Sequence, residues 1–152
     1  MSHTETAPVQ QFRPMSIADY DASLALWTNT AGVRLRDADS RENVEKYLSR
    51  NPDLSFVAEA DGKIVGTIMA GHDGKRGYIQ HLSVAAPYRR QGIASRLVSL
   101  CLDALKSEGI LKSHLMVLID NQTAQQFWTA LGWQRRRDID LYSFINGAGE
   151  NA

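Results

Sequence analysis

Between Ser55 and Val84 the chain reads as three short apolar-rich runs separated by two Asp-Gly pairs. Ser55 to Ala60 is the first run, and Asp61-Gly62 is a tight hairpin turn, because both central positions tolerate positive φ. Lys63 to Gly71 is the partner, with Ile64, Val65, Ile68 and Met69 apolar. His72 to Gly77 contains Asp73-Gly74 and predicts a second hairpin into Tyr78 to Val84. Three consecutive antiparallel strands are therefore expected.

The period changes on either side. Upstream, Val9 to Arg13 predicts a short strand stopped by Pro14. Ser16 with Asp19 three residues on has the form of a capping box, and Ile17, Tyr20, Leu24 and Trp27 recur at helical spacing to about Asn29. A polar loop, Ala31 to Asp39, leads to a second helix that starts near Ser40, carries Val44, Tyr47 and Leu48, and ends before Pro52. Downstream, Ile93, Leu97, Cys101 and Leu105 form one row of a helix from Gly92 to Glu108, stopped at Gly109. His114 to Ile119 is nearly continuous in Leu, Met, Val and Ile, as a strand buried on both faces would be. With the Gly92 helix it predicts a β–α–β crossover and a parallel pair. Asn121 is a good N-cap for a last helix, with Ala124, Phe127, Trp128 and Leu131 on one face before Gly132. Asp138 to Ile145 predicts a closing strand, with a short one near Trp133 to Arg135, and the small, polar stretch Gly147 to Ala152 is expected to fray.

Composition narrows the function classes. One domain is expected over residues 1–152, with an ordered core over about 10–145. Seventeen basic residues balance seventeen acidic ones, so total charge predicts no attraction to nucleic acid or membrane, and local basic clusters must be read as sites. No apolar run approaches the ~20 residues that span a bilayer, and Met1 to Gln11 lacks an apolar signal core. The single cysteine, Cys101, fits a reducing compartment and falls on an apolar helix face, so a cytoplasmic protein with an inert core thiol is expected.

The stretch from Tyr78 to Ala94 carries the candidate chemistry. A strand breaks at Pro87, passes through a basic turn and enters a helix at Gly92. The unpaired N–H groups and positive dipole end of a helix N-terminus suit phosphate, and Arg89 and Arg90 add charge there. Gly92 lets the backbone approach a ligand, and Ala94 keeps the first turn small. An ordinary strand-to-helix turn with solvated arginines is the other reading.

Two motifs in this frame resemble those of the GNAT-type N-acyltransferases. Arg89-Arg90-Gln91-Gly92-Ile93-Ala94 is similar to the family's pyrophosphate signature of Arg or Gln, two residues, Gly, one residue, Gly or Ala. Asn121-x-x-Ala124-x-x-Phe127-Trp128-x-x-Leu131-Gly132-Trp133 is close to N-x-x-A-x-x-F-Y-x-x-x-G-F. His72 to Gly77 resembles a Gly-aromatic-Asp-Gly-x-Arg-Gly turn of a subgroup of small bacterial acetyltransferases. The resemblance implies an α/β (α+β) GNAT fold: a mixed, mostly antiparallel sheet of six to seven strands, a β–α–β cofactor unit and four helices. It further implies acetyl-CoA as co-substrate without a metal, a primary amine of a small molecule, amino acid or protein as acceptor, and no nucleic-acid or membrane partner. A homodimer is left open.

The same resemblance assigns residues. The strand bearing Leu82, Ser83 and Val84 splays from the next, and its freed backbone pairs with the pantetheine arm and the acetyl carbonyl. Arg89, Arg90, Gln91, Gly92, Ile93 and Ala94 hold the pyrophosphate, and Asn121 reaches the arm from across the cleft while also serving as a helix cap. Trp128 lines the cofactor side where many members carry a Tyr acid. An indole N–H donates a hydrogen bond but does not release a proton at neutral pH. Tyr142 is then the candidate acid, or an edge aromatic. For the base, His81 has a suitable intrinsic range, yet strict alternation sets it opposite in facing to Gln80 and Leu82 unless a bulge intervenes. His81 as a structural histidine, and Glu59 as base or as solvated strand carboxylate, stay open. A non-catalytic acyl-CoA-binding module is the alternative function.

Overall fold

The computed structural model describes residues 6–147 and 149–152. The first residues of the polar N-terminal stretch, and Ala148 in the tail, lie outside the described residues. The elements run β1 (Gln11–Pro14), α1 (Tyr20–Thr28), α2 (Arg41–Arg50), β2 (Phe56–Ala60), β3 (Lys63–His72), β4 (Gly77–Val84), α3 (Ile93–Ser107), β5 (Ser113–His114) and α4 (Gln122–Ala130), with 3-10 turns at Ile17–Asp19, Asp37–Asp39 and Ala86–Tyr88. They form one sheet in the order β1-β2-β3-β4-β5, antiparallel through β4 and parallel at the last pair.

Period-2 alternation divides the sheet between two cores. Ala58 and Ile68 face α3, where they meet Ile93, Leu97 and Cys101. Val57 and Met69 face the other way, against Trp27 of α1 and Val44 of α2. Cys101 is fully buried; burial pushes its thiol up, and its Sγ–H donates to the carbonyl of Leu54 at 3.2 Å, as an inert core residue should. No helix among the described residues is long and apolar enough to cross a membrane.

The expected α/β class and the antiparallel meander followed by a crossover are present, but the C-terminal third departs from expectation. The sheet has five strands where six to seven were expected. The strand predicted over His114 to Ile119 shrinks to Ser113–His114, and its continuation is not buried: Met116 is 63% and Ile119 82% exposed. Neither Trp133 to Arg135 nor Asp138 to Ile145 forms a strand, and no helix or strand follows Ala130 among the described residues. Alternating apolar residues make a segment competent for a sheet, but a ladder needs a neighbour whose N–H and C=O groups are free alongside it. Within the tail expected to fray, Asn151 is tied to the turn before α2. Asn151 accepts from the N–H of Asp37 at 2.9 Å and donates through Nδ2 to Asp37 Oδ1 at 2.8 Å.

Before α1, Asp19 organises the chain as its spacing from Ser16 suggested. Its Oδ2 accepts from the Ser16 N–H at 2.9 Å, and Arg13 of β1 grips both carboxylate oxygens at 2.7 and 2.8 Å. Burial pushes the Asp19 carboxyl up, but the Arg13 guanidinium and the Ser16 amide outweigh it and hold the group below its usual range. A carboxylate depressed in the folded state contributes stability above its unfolded value near ~3.9 and loses it as pH falls through the folded value. Denaturant unfolding of wild type across acidic pH is therefore expected to show stability declining below about pH 4, with a shallower decline in Asp19→Asn. An equal slope in the two proteins would refute this assignment.

Candidate acyl-transfer site

β4 is paired on both sides only at its beginning. Its parallel partner β5 accompanies it at Gly77↔Ser113 and Tyr78↔His114, after which the two chains part. From Ile79 to Val84 the β5-side edge of β4 therefore lacks a strand neighbour, while β3 continues along the other edge. This is the splay that the sequence resemblance implied.

A bulge lies within this open stretch. Thr67 faces Ser83 and Met69 faces Gln80, so Ile68 alone opposes both His81 and Leu82. His81 takes up the extra residue in the left-handed region, φ 53°. The ladder bond lost there is replaced by a side chain: Thr67 Oγ1 donates to the His81 carbonyl at 3.1 Å and accepts from Trp27 Nε1–H at 2.9 Å. With Trp27 and Thr67 fully buried, the bulge is braced from below. The twist carries the imidazole to the α1 side, where it lies against the Trp27 ring at a centroid distance of 4.8 Å. Its Nε2 is 2.6 Å from Asp39 Oδ1. Asp39, in the turn before α2, also accepts from the Arg36 N–H at 2.9 Å. Burial pushes the Asp39 carboxyl up; the bond to His81 and the Arg36 amide prevail and hold it low.

At the end of β4, Pro87 sits in the Ala86–Tyr88 turn and two left-handed residues follow, Arg90 at φ 63° and Gly92 at φ 79°. Such alternation turns successive N–H groups into a concave nest. Gly92 caps α3 without any side-chain cap bond, so the first-turn amides of a fifteen-residue helix remain free. A Cβ added to Gly92 would meet no atom within 4 Å, so the nest opens outward. Arg89 Nε donates to the Val84 carbonyl at 3.1 Å and fixes the turn to the strand. Beneath, the bare backbone of Gly66 in β3 receives Ile93 and Leu97: a Cβ there would lie 3.1 and 3.2 Å from their methyl groups. A glycine in the sheet therefore sets how closely the start of α3 approaches β4.

Asn121 caps α4 as expected, accepting from the Ala124 N–H at 3.1 Å. Its amide also meets the loop after α1, since a Cβ on Gly32 would stand 2.7 Å from Nδ2. Of the remaining sequence candidates, Leu82 is half-buried against the α3 core, whereas Ser83 is buried with no partner for its hydroxyl among the described residues. Trp128 stacks edge-on with Phe127 at 5.0 Å and Trp133 at 5.1 Å and packs on the α3 core. Glu59 lies on β2, two strands from β4, with its carboxylate taken by Arg13 Nε at 2.6 Å. Tyr142 is 91% exposed on a segment that joins no strand. The structure thus sets His81, the 82–84 backbone and the 89–94 turn in succession along and beyond β4, places Asn121 against the loop after α1, and leaves Glu59 and Tyr142 apart.

Comparison with known proteins agrees with this geometry. Residues 21–133 match the Acetyltransferase (GNAT) family. The chain belongs to that family. An acetyltransferase of Pectobacterium atrosepticum is 36% identical over 116 residues, 76% of this chain and 82% of that protein. One of Sodalis glossinidius is 34% identical over 123 residues, 81% of this chain and 86% of its own length. The chain is accordingly an acyltransferase of the GNAT type. Among solved structures, PaiA N-acetyltransferase of Thermoplasma acidophilum in complex with coenzyme A superposes with a TM-score of 0.75 at 21% identity, covering 86% of this chain and 92% of that one. Diaminobutyrate acetyltransferase EctA of Paenibacillus lautus, with its substrate and coenzyme A, gives 0.70 at 21% identity, covering 82% and 75%. At these identities the likeness is one of fold.

Asp39, Trp27 and Thr67 were not singled out from the sequence. Asp39 lay in a stretch read as polar loop, and no period connects residue 39 with residue 81. A side chain at Gly32 would collide with Asn121 and meet a φ of 86° as well. Gly32→Ala is expected to lower the thermal midpoint by several degrees, from about 1–2 kcal/mol of left-handed strain plus the displaced amide. An unchanged midpoint would show that this loop does not rest on Asn121.

Proposed function

We propose that this GNAT acyltransferase moves the acetyl group of acetyl-CoA to a primary amine by direct attack. The observation that carries the reading is the free edge of β4 running from Ile79 into the amide nest at Gly92. An amide-rich arm ending in a pyrophosphate satisfies both at once: it completes the sheet along Leu82 to Val84 and places its phosphates at the positive end of α3. Arg89 and Arg90 flank that end in sequence, and Asn121 is proposed to reach the arm from the start of α4. The two fold neighbours that bind coenzyme A support the same co-substrate.

The residues of the chain divide the chemistry as follows. An amine near neutral pH is mostly protonated and must lose a proton to attack. His81 is the base of this proposal, because it is the imidazole in the bulge beside the open edge. The N–H of Leu82 is the donor for the oxyanion that forms on the thioester carbonyl oxygen as the amine adds to its carbon. No side-chain acid is assigned to the leaving thiolate: Trp128 has no titrating proton, Tyr142 is exposed, and a thiol with a pKa near ~8.5 leaves readily on its own. Acceptors considered are small-molecule amines, amino acids and protein amines; EctA shows the fold serving a small diamino acid in another protein.

Incubation with acetyl-CoA and a panel of amines and peptides, followed by thiol release, tests the reaction. Acetyl-CoA binding with no release on any acceptor would favour a binding module. In Gly92→Val, a branched side chain would fill the nest at a residue of φ 79°. Acetyl-CoA binding by calorimetry should be lost while circular dichroism stays native; retained affinity would move the phosphate site elsewhere. His81→Gln is expected to lose the acidic limb of the pH–rate profile and about a hundredfold or more in rate. A wild-type profile in that variant would remove His81 as base.

A further inference from the structure

The imidazole of His81 is held by a second residue that no motif contains. We propose that Asp39 is a positioning residue: by accepting the Nε2–H of His81 at 2.6 Å it holds the ring so that Nδ1 faces the incoming amine as the base nitrogen. The inference rests on the reading of His81 as base and deepens it.

Three observations support a built pair and not an incidental surface contact. Both side chains are enclosed, 12% exposed for His81 and 14% for Asp39. The turn that carries Asp39 is tied down independently of the histidine. Tyr20 Oη donates to the Asp39 carbonyl at 2.6 Å, Asn43 Nδ2 donates to the Asp37 carbonyl at 2.8 Å, and Asn151 takes both the N–H and the carboxylate of Asp37. On the other side, the bulge holds His81 in a left-handed backbone conformation, braced through Thr67 and Trp27. Two elements distant in sequence are each fixed before their side chains meet.

The nitrogen roles follow from which atoms are occupied. Asp39 Oδ1 takes His81 and Oδ2 takes the Arg36 N–H, so the carboxylate is fully engaged and ionised. Nε2 therefore carries the proton of the neutral ring. Nδ1 has no partner among the described residues and is not a closed-off buried atom. The other groups packed around the ring are accounted for. Trp27 covers one face, Thr67 contributes a hydroxyl at the backbone, and the Tyr20 hydroxyl is spent on the turn. Arg41 lies over the Tyr20 ring and pairs with Asp21, while the Arg36 guanidinium reaches Asn151. Asp39 is the one carboxylate on the imidazole among the described residues.

The step balances without further reactants. As the amine nitrogen bonds to the thioester carbon, its proton passes to Nδ1 and the ring becomes an imidazolium facing Asp39. The carbon–sulfur bond breaks with its electron pair on sulfur, and the proton on Nδ1 goes to the thiolate or to water. A negative charge at Nε2 favours the imidazolium and strengthens Nδ1 as base.

The test pairs Asp39→Asn with His81→Gln and the double variant, using acetyl-CoA and a high fixed concentration of n-butylamine. Removing the charge is expected to free the ring tautomer, so that NMR of the imidazole shows a single Nε2–H form giving way to a mixture. The acidic limb of the pH–rate profile should move to lower pH, the plateau should fall about tenfold, and KM for acetyl-CoA should stay unchanged. In the His81→Gln background, Asp39→Asn should add no further loss. Thermal midpoints identify a merely structural latch, which would lose stability while leaving the tautomer and the limb in place; that result overturns the proposal. If Asp39→Asn fails to fold, the wild-type spectrum decides: a slowly exchanging proton on Nε2 is expected, and a proton on Nδ1 would overturn it. A His81→Gln protein with a wild-type profile defeats the base reading itself, whereas a limb lost there but unmoved in Asp39→Asn defeats the role of Asp39 alone.

Discussion

Backbone amides and carbonyls need partners, and the arrangement of this acyltransferase depends on where β4 stops finding them. From Gly77 to Tyr78 it has a strand on each side; from Ile79 to Val84 it has β3 alone. An edge in the middle of a fold is costly if buried dry and adhesive if left open. Here the chain places the N-terminus of α3 directly beyond it, so one free backbone surface runs into another. The separation of β5 is thus what leaves an open edge among elements that would otherwise close a continuous sheet.

The bulge at His81 joins this edge to the opposite face of the molecule. Inserting one residue against Ile68 keeps Val84 in the α3 core while sending the imidazole toward α1. Thr67 makes that exchange tolerable, since its hydroxyl supplies the His81 carbonyl with the donor that the interrupted ladder removed. The same hydroxyl satisfies the buried Trp27 indole, so one side chain connects the core under α1 to the geometry of β4. Asp39 and Asp19 follow a common plan on that face. Each is an enclosed carboxylate that takes a backbone N–H from the start of its own turn and one basic side chain from the sheet. Desolvation alone would push both carboxyl groups up; local donors reverse the sign.

Much of this was legible in advance, and for identifiable reasons. The hairpin turns at Asp61-Gly62 and Asp73-Gly74, the row Ile93-Leu97-Cys101-Leu105, and the caps at Asn121 and Gly92 are local signals whose meaning survives in any tertiary context. The basic turn was legible because it consists of backbone N–H groups at a helix start, which a strand–turn–helix pattern specifies directly. The closing strand was not. Ile139, Leu141, Tyr142 and Phe144 have the composition of a strand, yet all are exposed because the adjoining stretch after His114 offers no ladder. Glu59 looked like any strand carboxylate until Arg13, on β1, claimed it.

By itself, then, the sequence determined the element types and their order as far as α4, the crossover and the position of the amide nest, since each follows from short-range periodicity, turn stereochemistry or capping. Only the tertiary structure decided which face His81 meets and which carboxylate it finds there. Alternation sets a side chain's face only while the register holds, and a single bulge residue reverses it. The meeting of His81 with Asp39 spans forty-two positions and depends on α1, the turn before α2 and β4 packing together. No local pattern encodes that contact; it exists only once the two faces of the sheet have been built.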